Sequence, residues 1–539
     1  MTARPNFSVL AAAAVFVGFA AVIWLSLAAP GGALDLFEVG HWLGPASDML
    51  AGKVPYRDTY PVHGFLSDGG LDYLLFRLLG ADLSVSQRAH GFLGAFFHPL
   101  LFLVTAAATR RPWVALAGIP VHVGFSIARA FDRPVLPLLS LVLFLLALDE
   151  RPRRAVAFAA GAVGAIGLLY ALDFGTFVLA AELATLGVAA LVRRPGTGRL
   201  TSGYLVGLSV VLVPWFVYLG SVGAAGQFVR VSFIDLPRYA HSVWGIDFPK
   251  PWEVLPLWLR GEKFQVGGVG IGPAIGKRLY LAPVFGLLGL VAAGVLIARR
   301  RTSSPDPALR LMVISLACLF FFRHVVARYH IAVGNALSGP VFVALLVGLH
   351  SSVPAMNARR SRIRALALVT LGIVAAVGMA GPRRLIEIVK SAAAYPARAR
   401  TREGLTRLAL PRAGSALLPT AQVAELETLA RFADAHSKPG DPVLDLSNRP
   451  ALYFLLERRN PTRFYQAPMM APYEGEVIRS LQRAPPAFVI LTSGTYFDAI
   501  DGRPNSARIP AIWNYVRKAY PFTEQVAGST IARPARPGF

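Results

Sequence analysis

Acidic, basic and histidine side chains gather in one polar loop, residues 30–87, which interrupts a chain rich in apolar segments. Asp35 and Glu38 lie at its start, three residues apart, so on a helical turn they would share a face. A carboxylate in low-dielectric surroundings has a raised pKa and can act as a general base. Further along, the loop carries Arg57, Asp58 and His63. These residue types suit proton transfer beside an anionic group, which an arginine can bind through two hydrogen bonds.

Other charged residues lie where apolar segments end, and the topology predicted below places them on the same side of a membrane as the loop. They are Asp173, Arg323, Arg328 and His330. Carboxylates and guanidiniums from separate loops would then converge on one face of a helical bundle. The alternative is that such residues cap helices or pair with one another, and that Asp35 and Glu38 form a charge pair at a helix N-terminus.

The composition is that of a multi-pass membrane protein with some soluble mass. Of the 539 residues, 55% are hydrophobic and 16% are charged, and the mean hydropathy is +0.52. A soluble domain has about 25% charged residues. The formal net charge of +24 would indicate nucleic-acid binding in a soluble protein, but no basic stripe with interleaved aromatic residues is present. Arginine-rich cytoplasmic loops explain the charge, so we expect membrane lipids and no nucleic acid as partners.

The elements that must position these residues are transmembrane helices. A span needs about 20 mostly apolar residues, and eleven segments fit this description to within a few residues. They are 7–29, 88–108, 112–131, 134–149, 154–172, 174–192, 203–222, 279–298, 309–326, 330–350 and 363–382. Because further spans follow the first, we expect an uncleaved helix there and not a signal peptide.

The charges of the short loops predict the orientation. Alternate loops are rich in arginine, as at Arg110 and Arg111 or at 299–301, and the loops between them are poorer in Lys and Arg. By the positive-inside rule the arginine-rich loops are cytoplasmic. We expect a protein of the bacterial inner membrane, and the loop charges predict that its N-terminus is cytoplasmic. The polar loop and everything after residue 382 would face the periplasm.

The expected fold class is an α-helical polytopic membrane protein with a small C-terminal α/β domain on the outer face. The transmembrane module would cover 1–382 with a second outer loop at 223–278, and a linker at 383–420 would lead to a domain at 421–539. In that domain short apolar runs alternate with helical patterns. The runs PVLDLSN and AFVILT predict strands, and ALYFLLERR, EGEVIRSLQRA and IPAIWNYVRKAY predict helices.

The sequence has no metal-ligand spacing. His41, His63, His90 and His98 are scattered, which disfavours a zinc site. The glycine-rich run 265–276 lacks the lysine of a P-loop and a preceding strand, so it is better interpreted as a flexible outer loop.

The polar loop resembles the first outer loop of GT-C glycosyltransferases, which include the protein O-mannosyltransferase-like (family 39-like) and aminoarabinose-transferase-like families. In these loops an acidic residue is followed by a short helix of small residues and then by the pattern G..PYrD....P.G. The matching residues here are Asp35, Glu38, Gly52, Pro55, Tyr56, Arg57, Asp58 and Gly64. The motif covers about 35–68, and the architecture of many spans followed by an outer α/β domain is similar as well.

Two positions depart from the family pattern. Many relatives have adjacent acidic residues, whereas Phe37 precedes Glu38 here, which leaves open whether Asp35 or Glu38 is the catalytic carboxylate. The stretch ARYHIAV (327–333) resembles an Arg-x-Asp-x-x-His element of bacterial relatives but lacks its acidic residue.

The resemblance implies an inverting glycosyltransferase that moves a sugar from a polyprenyl-phosphate donor to a cell-envelope glycan, lipid or protein on the outer face. Asp35 or Glu38 would be the general base. Arg328, with His330 or Arg323, would bind the departing phosphate. The other residues expected to bind substrate are Arg57, Asp58, His63 and Asp173. Some relatives bind a divalent metal, which the sequence leaves open as a cofactor.

Two other functions remain open from the sequence. A transporter or flippase of lipid-linked sugars would place polar residues near the middle of several spans and would often show repeated halves, whereas the charges here cluster at the outer ends of spans. A catalytically inactive GT-C relative is the second alternative, given the departure at Phe37.

Overall fold

The structure is a computed structural model, and it describes residues 6–27, 31–125, 130–149, 153–239, 250–266, 269–271, 280–298, 306–327, 335–352 and 381–535. The chain divides into two compact units. The first, the helical unit, comprises 1–28, 91–215 and 246–395, and the second, the mixed unit, comprises 29–90, 216–245 and 396–539.

Apolar helices make up most of the helical unit, because a chain in lipid must satisfy its backbone hydrogen bonds within each segment. The helices at or within its boundaries are Asn6–Leu27, Leu83–Ala95, Phe97–Thr109, Pro112–Ala117, Ile119–Phe125, Val135–Ala147, Arg154–Tyr170, Leu172–Leu191, Thr197–Ser221, Pro251–Leu259, Leu281–Ala298, Asp306–Ala327, Ser338–Ser352 and Gly381–Ala393. Strands Phe264–Val266 and Val269–Ile271 form a small antiparallel hairpin.

The predicted spans can be compared with these helices where the structure describes them. Each of the first ten overlaps observed helix, and the eleventh, 363–382, lies almost entirely outside the described residues. The segment 112–131 contains a turn at Gly118. Pro120 lies just beyond this turn, and a proline has no N–H to continue a helical hydrogen-bond ladder.

Three helices of the described chain are long and apolar enough to cross a membrane: Leu83–Thr109, Leu172–Leu191 and Thr197–Ser221. Several shorter apolar helices accompany them. These helices indicate an integral membrane protein, while the number of spans and their orientation stay predictions.

Small residues allow close helix packing in the helical unit. A Cβ atom on Gly161 would lie 2.0 Å from the Tyr204 carbonyl oxygen, and one on Gly207 would lie 2.0 Å from the Phe158 carbonyl oxygen. Helices Arg154–Tyr170 and Thr197–Ser221 therefore approach each other backbone to backbone, as is common in membrane bundles.

The mixed unit combines the polar loop with the C-terminal part of the chain. The loop contains helix Gly40–Leu50, the π-helical turn Leu66–Gly70 and helix Leu71–Leu79, and the short segments Ala225–Arg230 and Val231–Asp235 belong to the same unit. The C-terminal helices are Tyr395–Arg400, Thr420–His436, Ala451–Leu455, Ala467–Met470, Glu474–Arg483, Asn505–Arg508 and Pro510–Ala519. Short 3₁₀ turns cover Ala471–Tyr473 and Tyr496–Gly502.

Two sheets complete the mixed unit. Strands Leu405–Arg407 and Leu417–Pro419 form an antiparallel pair. The larger sheet has the order Leu444–Asp445, Val489–Thr492, Ser529–Arg533, Phe522–Val526, and only its first pair is parallel. The mostly helical architecture with a small C-terminal α/β part is thus confirmed.

One hydrophobic core joins the polar loop to the C-terminal strands and helices. Leu43 and Phe76 of the loop share a buried cluster with Leu426, Phe454 and Ile490. The rings of Phe76 and Phe454 stack with centroids 5.0 Å apart. Fully burying such a side chain stabilises a protein by about 1.5–3 kcal/mol, so the loop is held by apolar contacts along its length.

The loop helix lies very close to the C-terminal backbone at Gly40. A Cβ atom on Gly40 would lie 2.4 Å from Pro450 Cγ and 2.7 Å from the Ala451 backbone nitrogen, whereas one on Gly32 would meet no atom within 4 Å. The helix can pack this closely because Gly40 has no side chain.

We therefore expect Gly40→Ala to lower the thermal unfolding temperature of the purified protein. Overpacking of this kind costs about 1–3 kcal/mol. Gly32→Ala is the matched control and should change stability by less than about 0.5 kcal/mol. Equal unfolding temperatures for Gly40→Ala and the wild type would contradict the close packing of this helix.

Candidate functional site

Asp35 forms a turn at the entrance to the loop helix. Its Oδ1 atom accepts hydrogen bonds from the backbone N–H groups of Phe37 and Glu38, each at 3.0 Å. The Val39 N–H donates to the Asp35 carbonyl oxygen at 3.0 Å, and the helix begins at Gly40. Aspartate side chains commonly form such turns. The side chains of Asp35 and Glu38 are both exposed.

Phe37, the residue between the two carboxylates, packs into the C-terminal part of the mixed unit. Its ring stacks on Phe497 with centroids 5.4 Å apart and an interplanar angle of 11°. It also meets the His41 ring edge-on at 5.0 Å. The apolar residue at this position therefore anchors the turn that presents Asp35 and Glu38.

Burial divides the loop carboxylates into two groups. Asp48, Asp68 and Asp72 are 3%, 1% and 0% exposed, whereas Asp35 and Glu38 are exposed. Buried carboxylates need hydrogen-bond partners. Asp72 accepts from Ser86 Oγ at 2.5 Å and lies 3.0 Å from His90 Nε2. The buried carboxylates thus interact with groups inside the fold.

Asp48 forms a buried ion pair with Lys53, whose Nζ lies 3.0 Å from Asp48 Oδ1. The same ammonium donates to the carbonyl oxygens of Asn460 and Thr462, each at 2.8 Å. Burial raises the pKa of Asp48 from 3.8 to about 6, although the charge and hydrogen bond of Lys53 act in the opposite direction. Lys53 thereby links the loop to the C-terminal segment.

Arg57 and Asp58 of the PYRD motif pair with each other. Arg57 Nη2 lies 2.7 Å from Asp58 Oδ2, and Arg57 Nη1 donates to the Val222 carbonyl oxygen at 3.1 Å. Asp58 also accepts from the Val54 N–H at 3.0 Å. Burial raises the pKa of Asp58, but the hydrogen bonds from Arg57 and Val54 outweigh it and lower that pKa below its usual value. Tyr56 has a φ of 66° in this tight turn.

His63 joins a polar cluster made with His41 and Asp68, which we name the histidine–aspartate cluster. His63 Nδ1 lies 2.9 Å from Asp68 Oδ1, and the centroids of the two histidine rings are 4.8 Å apart. One possible ligand atom from each residue lies within 4.8 Å of the others. The cluster could hold a metal ion.

Asp68 is the centre of this cluster. Its Oδ2 atom accepts from the N–H groups of Val62 and His63 at 2.6 and 3.0 Å and from the Tyr465 hydroxyl at 2.9 Å. Burial by itself raises the pKa of Asp68, but His63 and, to a lesser degree, His41 counteract it and hold that pKa below its usual value. Asp68 is therefore a buried carboxylate whose ionised form the two histidines favour.

The candidate residues outside the loop belong to the helical unit. Asp173 lies in the first turn of helix Leu172–Leu191, and its Oδ2 lies 3.8 Å from Arg133 Nη1. Arg323 is exposed near the end of helix Asp306–Ala327. Arg328 and His330 lie outside the described residues. The convergence of these side chains with the loop carboxylates remains a prediction.

No local sequence pattern groups His41, Asp68, Tyr465 and Gln466. His41 and His63 are separated by a helix and the PYRD turn, and the two C-terminal residues lie about 400 positions further on. A metal-ligand pattern in sequence needs short regular spacings, whereas here the fold alone brings the residues together.

No protein-family model and no curated protein matches this chain. Solved structures similar to it include those of a GT-C glycosyltransferase, the class that the loop motif resembles. Two of these structures are of ArnT from Cupriavidus metallidurans. Its structure bound to undecaprenyl phosphate shows 16% identity, covers 98% of both chains and has a TM-score of 0.46. Its apo structure shows 14% identity over 97% of this chain and 98% of ArnT, also with a TM-score of 0.46.

We expect Lys53→Met to destabilise the protein at neutral pH by about 1–3 kcal/mol, because the Asp48 carboxylate loses its partner and must be protonated to stay buried. The folded-state pKa of Asp48, about 6, lies above its usual value of 3.8. Folding is therefore most favoured when Asp48 is protonated, and stability is lost as the pH rises through about 6. The destabilisation should shrink as the pH is lowered from about 7.5 towards 5.

Thermal unfolding of the detergent-solubilised protein across this pH range measures the effect. Lys438→Met removes an exposed lysine of the same unit and should change stability by less than about 0.5 kcal/mol at any pH. A Lys53→Met defect that stays constant or grows on acidification would exclude Asp48 as its cause.

Proposed function

We propose that this protein is a membrane glycosyltransferase that moves a sugar from a polyprenyl-phosphate donor to a cell-envelope acceptor on the outer face of the membrane. The observation that carries this proposal is the exposure of Asp35 and Glu38. They are the acidic positions of the loop motif, and the fold leaves them accessible while it buries Asp48, Asp68 and Asp72.

The geometry of Asp35 suits a general base. Its Oδ1 atom is fixed by two backbone N–H groups, and among the described residues none donates a hydrogen bond to Oδ2. A carboxylate that is oriented through one oxygen can use the other to accept a proton. Glu38 is the second candidate, because the same turn presents it three residues later.

The reaction would proceed by inversion at the anomeric carbon. The carboxylate removes the proton of an acceptor hydroxyl, and that oxygen forms a new bond to the anomeric carbon. The bond from this carbon to the phosphate oxygen breaks, and its electron pair leaves with the polyprenyl phosphate. Positive charge near the phosphate lowers the barrier to this departure. We propose Arg328, with His330 or Arg323, for this role.

The remaining candidates would bind and orient substrate. Arg57 is about half exposed, so it would border the acceptor while Asp58 holds its guanidinium in place. His63 is less exposed than Arg57, so it would contact the substrate from deeper in the loop. Asp173 would orient the acceptor or the base.

One observation favours a transporter of lipid-linked sugars as the second candidate. Glu182 is fully buried in an apolar helix, and ionisable groups at such positions often lie on transport pathways. Ser140 donates to this carboxyl group at 3.0 Å and Tyr204 donates to it as well. These hydrogen bonds give Glu182 a structural role, because they join its helix to two others. We therefore prefer the glycosyltransferase.

Replacing the proposed bases tests the enzyme directly. Membrane vesicles that contain the protein and a labelled polyprenyl-phosphate sugar should transfer label to an envelope acceptor. Asp35→Asn keeps an oxygen that can accept the turn hydrogen bonds, yet loss of the base should slow transfer by about 10²–10⁴-fold. Glu38→Gln distinguishes the two carboxylates.

Asp82→Asn is the matched control, because Asp82 Oδ1 accepts a backbone N–H from Ser84 at 2.6 Å in a similar turn at another helix. It should transfer at the wild-type rate. Full activity of both Asp35→Asn and Glu38→Gln would refute the site. A wild-type protein that moves lipid-linked sugar across vesicles without transferring it would favour the transporter, and one that does neither would favour the inactive relative.

The proposed topology has its own test. Alkaline phosphatase is active only in the periplasm, so fusions after Ala81 and after the C-terminus should both be active. A fusion after Arg110 should be inactive, since that loop is predicted to be cytoplasmic. The reverse pattern would put the loop carboxylates on the cytoplasmic face and overturn the proposed reaction at the outer surface.

A further inference from the structure

We propose that the histidine–aspartate cluster, His41, His63 and Asp68, binds one divalent transition-metal ion of the zinc type, with the side-chain oxygen of Gln466 as an additional ligand. This site is distinct from the exposed carboxylates Asp35 and Glu38. The proposal depends only on the geometry of the cluster and holds whether or not the protein transfers sugar.

The first support is the convergence of three ligand groups. Two imidazoles and one carboxylate each offer an atom within 4.8 Å of the others. His63 Nδ1 and Asp68 Oδ1 are already 2.9 Å apart, which is close to the separation of two ligands on one metal ion. Metal–ligand bonds of about 2.0–2.2 Å to nitrogen and oxygen therefore need only small side-chain movements.

The second support is Gln466, whose side chain is fully buried. Its Nε2 atom lies 3.3 Å from His41 Nε2. Among the described residues no group donates a hydrogen bond to its Oε1 atom. A buried amide oxygen without a partner is unfavourable. A half-turn of the amide exchanges its two terminal atoms and places that oxygen beside His41, where a cation would satisfy it.

The third support is the shell that orients the ligands. Asp68 is fixed by two backbone N–H groups and the Tyr465 hydroxyl. The rings of Phe37 and Tyr465 lie edge-on to His41, with centroids 5.0 and 5.9 Å away. Such outer contacts hold first-shell ligands in place and tune metal affinity. The ligands are thus held in position by the fold.

The ligand types decide the class of metal. Magnesium and calcium prefer sites made of oxygen atoms, whereas imidazole nitrogen together with carboxylate suits zinc and its neighbours. Because His41, His63 and Asp68 lie in the polar loop and Gln466 lies in the C-terminal segment, the ion would link these two parts of the mixed unit. Bound metal should then raise the unfolding temperature.

The test uses the full-length protein, purified in detergent through a tag without histidines and stripped with a chelator. Titration with Zn²⁺ against a chromogenic chelator should show one tight site per chain. Co²⁺ in its place should give the visible absorption bands of a four- or five-coordinate site, and either ion should raise the unfolding temperature. Mg²⁺ should do neither.

Variants then assign the site. His63→Gln alters a side chain that is 27% exposed, so the fold should tolerate it, and its affinity for Zn²⁺ should fall by about 100-fold or more. His41→Gln and Asp68→Asn should have the same effect. His436→Gln changes an exposed histidine of the same unit and should bind Zn²⁺ like the wild type.

Three results would overturn the proposal. They are a wild-type protein that binds no Zn²⁺ at micromolar concentration, a folded His63→Gln protein that binds Zn²⁺ as tightly as the wild type, and an affinity that depends on His436 instead. Failure of sugar transfer with intact Zn²⁺ binding would count against the proposed function alone, and the opposite pattern would count against the metal site alone.

Discussion

Leu43 and Phe76 of the polar loop and Phe454 of the C-terminal segment are buried in a single hydrophobic core. The rest of the mixed unit depends on this shared core. The loop has many polar groups and too few apolar side chains to form a core by itself. Hydrophobic burial is not directional, so other contacts must decide how the loop is positioned along the C-terminal segment. Two specific contacts do this: the close approach of Gly40 to Pro450, and the hydrogen bonds from Lys53 to the carbonyl oxygens of Asn460 and Thr462.

The shared core also decides what each carboxylate of the loop can do. A carboxylate that faces the core must be paired or hydrogen-bonded, since an isolated buried charge is very unfavourable. Asp48 has Lys53 for this purpose, and Asp68 has two backbone N–H groups, His63 and Tyr465. Asp35 and Glu38 lie outside the core and carry no such requirement, so the fold leaves them accessible to a substrate.

The sequence indicated the helices, the strands Val489–Thr492 and Leu444–Asp445, and the acidic start of the loop, because each of these has a local pattern. It did not indicate the hairpin of Phe522–Val526 and Ser529–Arg533. That hairpin turns through Ala527 and Gly528, both with positive φ, and Ala-Gly is a weaker turn signal than Asn-Gly. The division of the loop carboxylates by burial could not be read locally either, because it depends on contacts with residues about 400 positions away.

The loop carboxylates that stabilise the fold are different residues from those proposed to take part in the reaction. The neighbours of a buried carboxylate decide how readily it accepts a proton. Burial raises the pKa of Asp48 in spite of Lys53, whereas His63 holds the pKa of Asp68 below its usual value. Asp35 uses one oxygen for the turn and lies outside the core, which fits its proposed role as the base. The turn anchored by Phe37 on Phe497 is what allows a residue outside the core to be held in a fixed position.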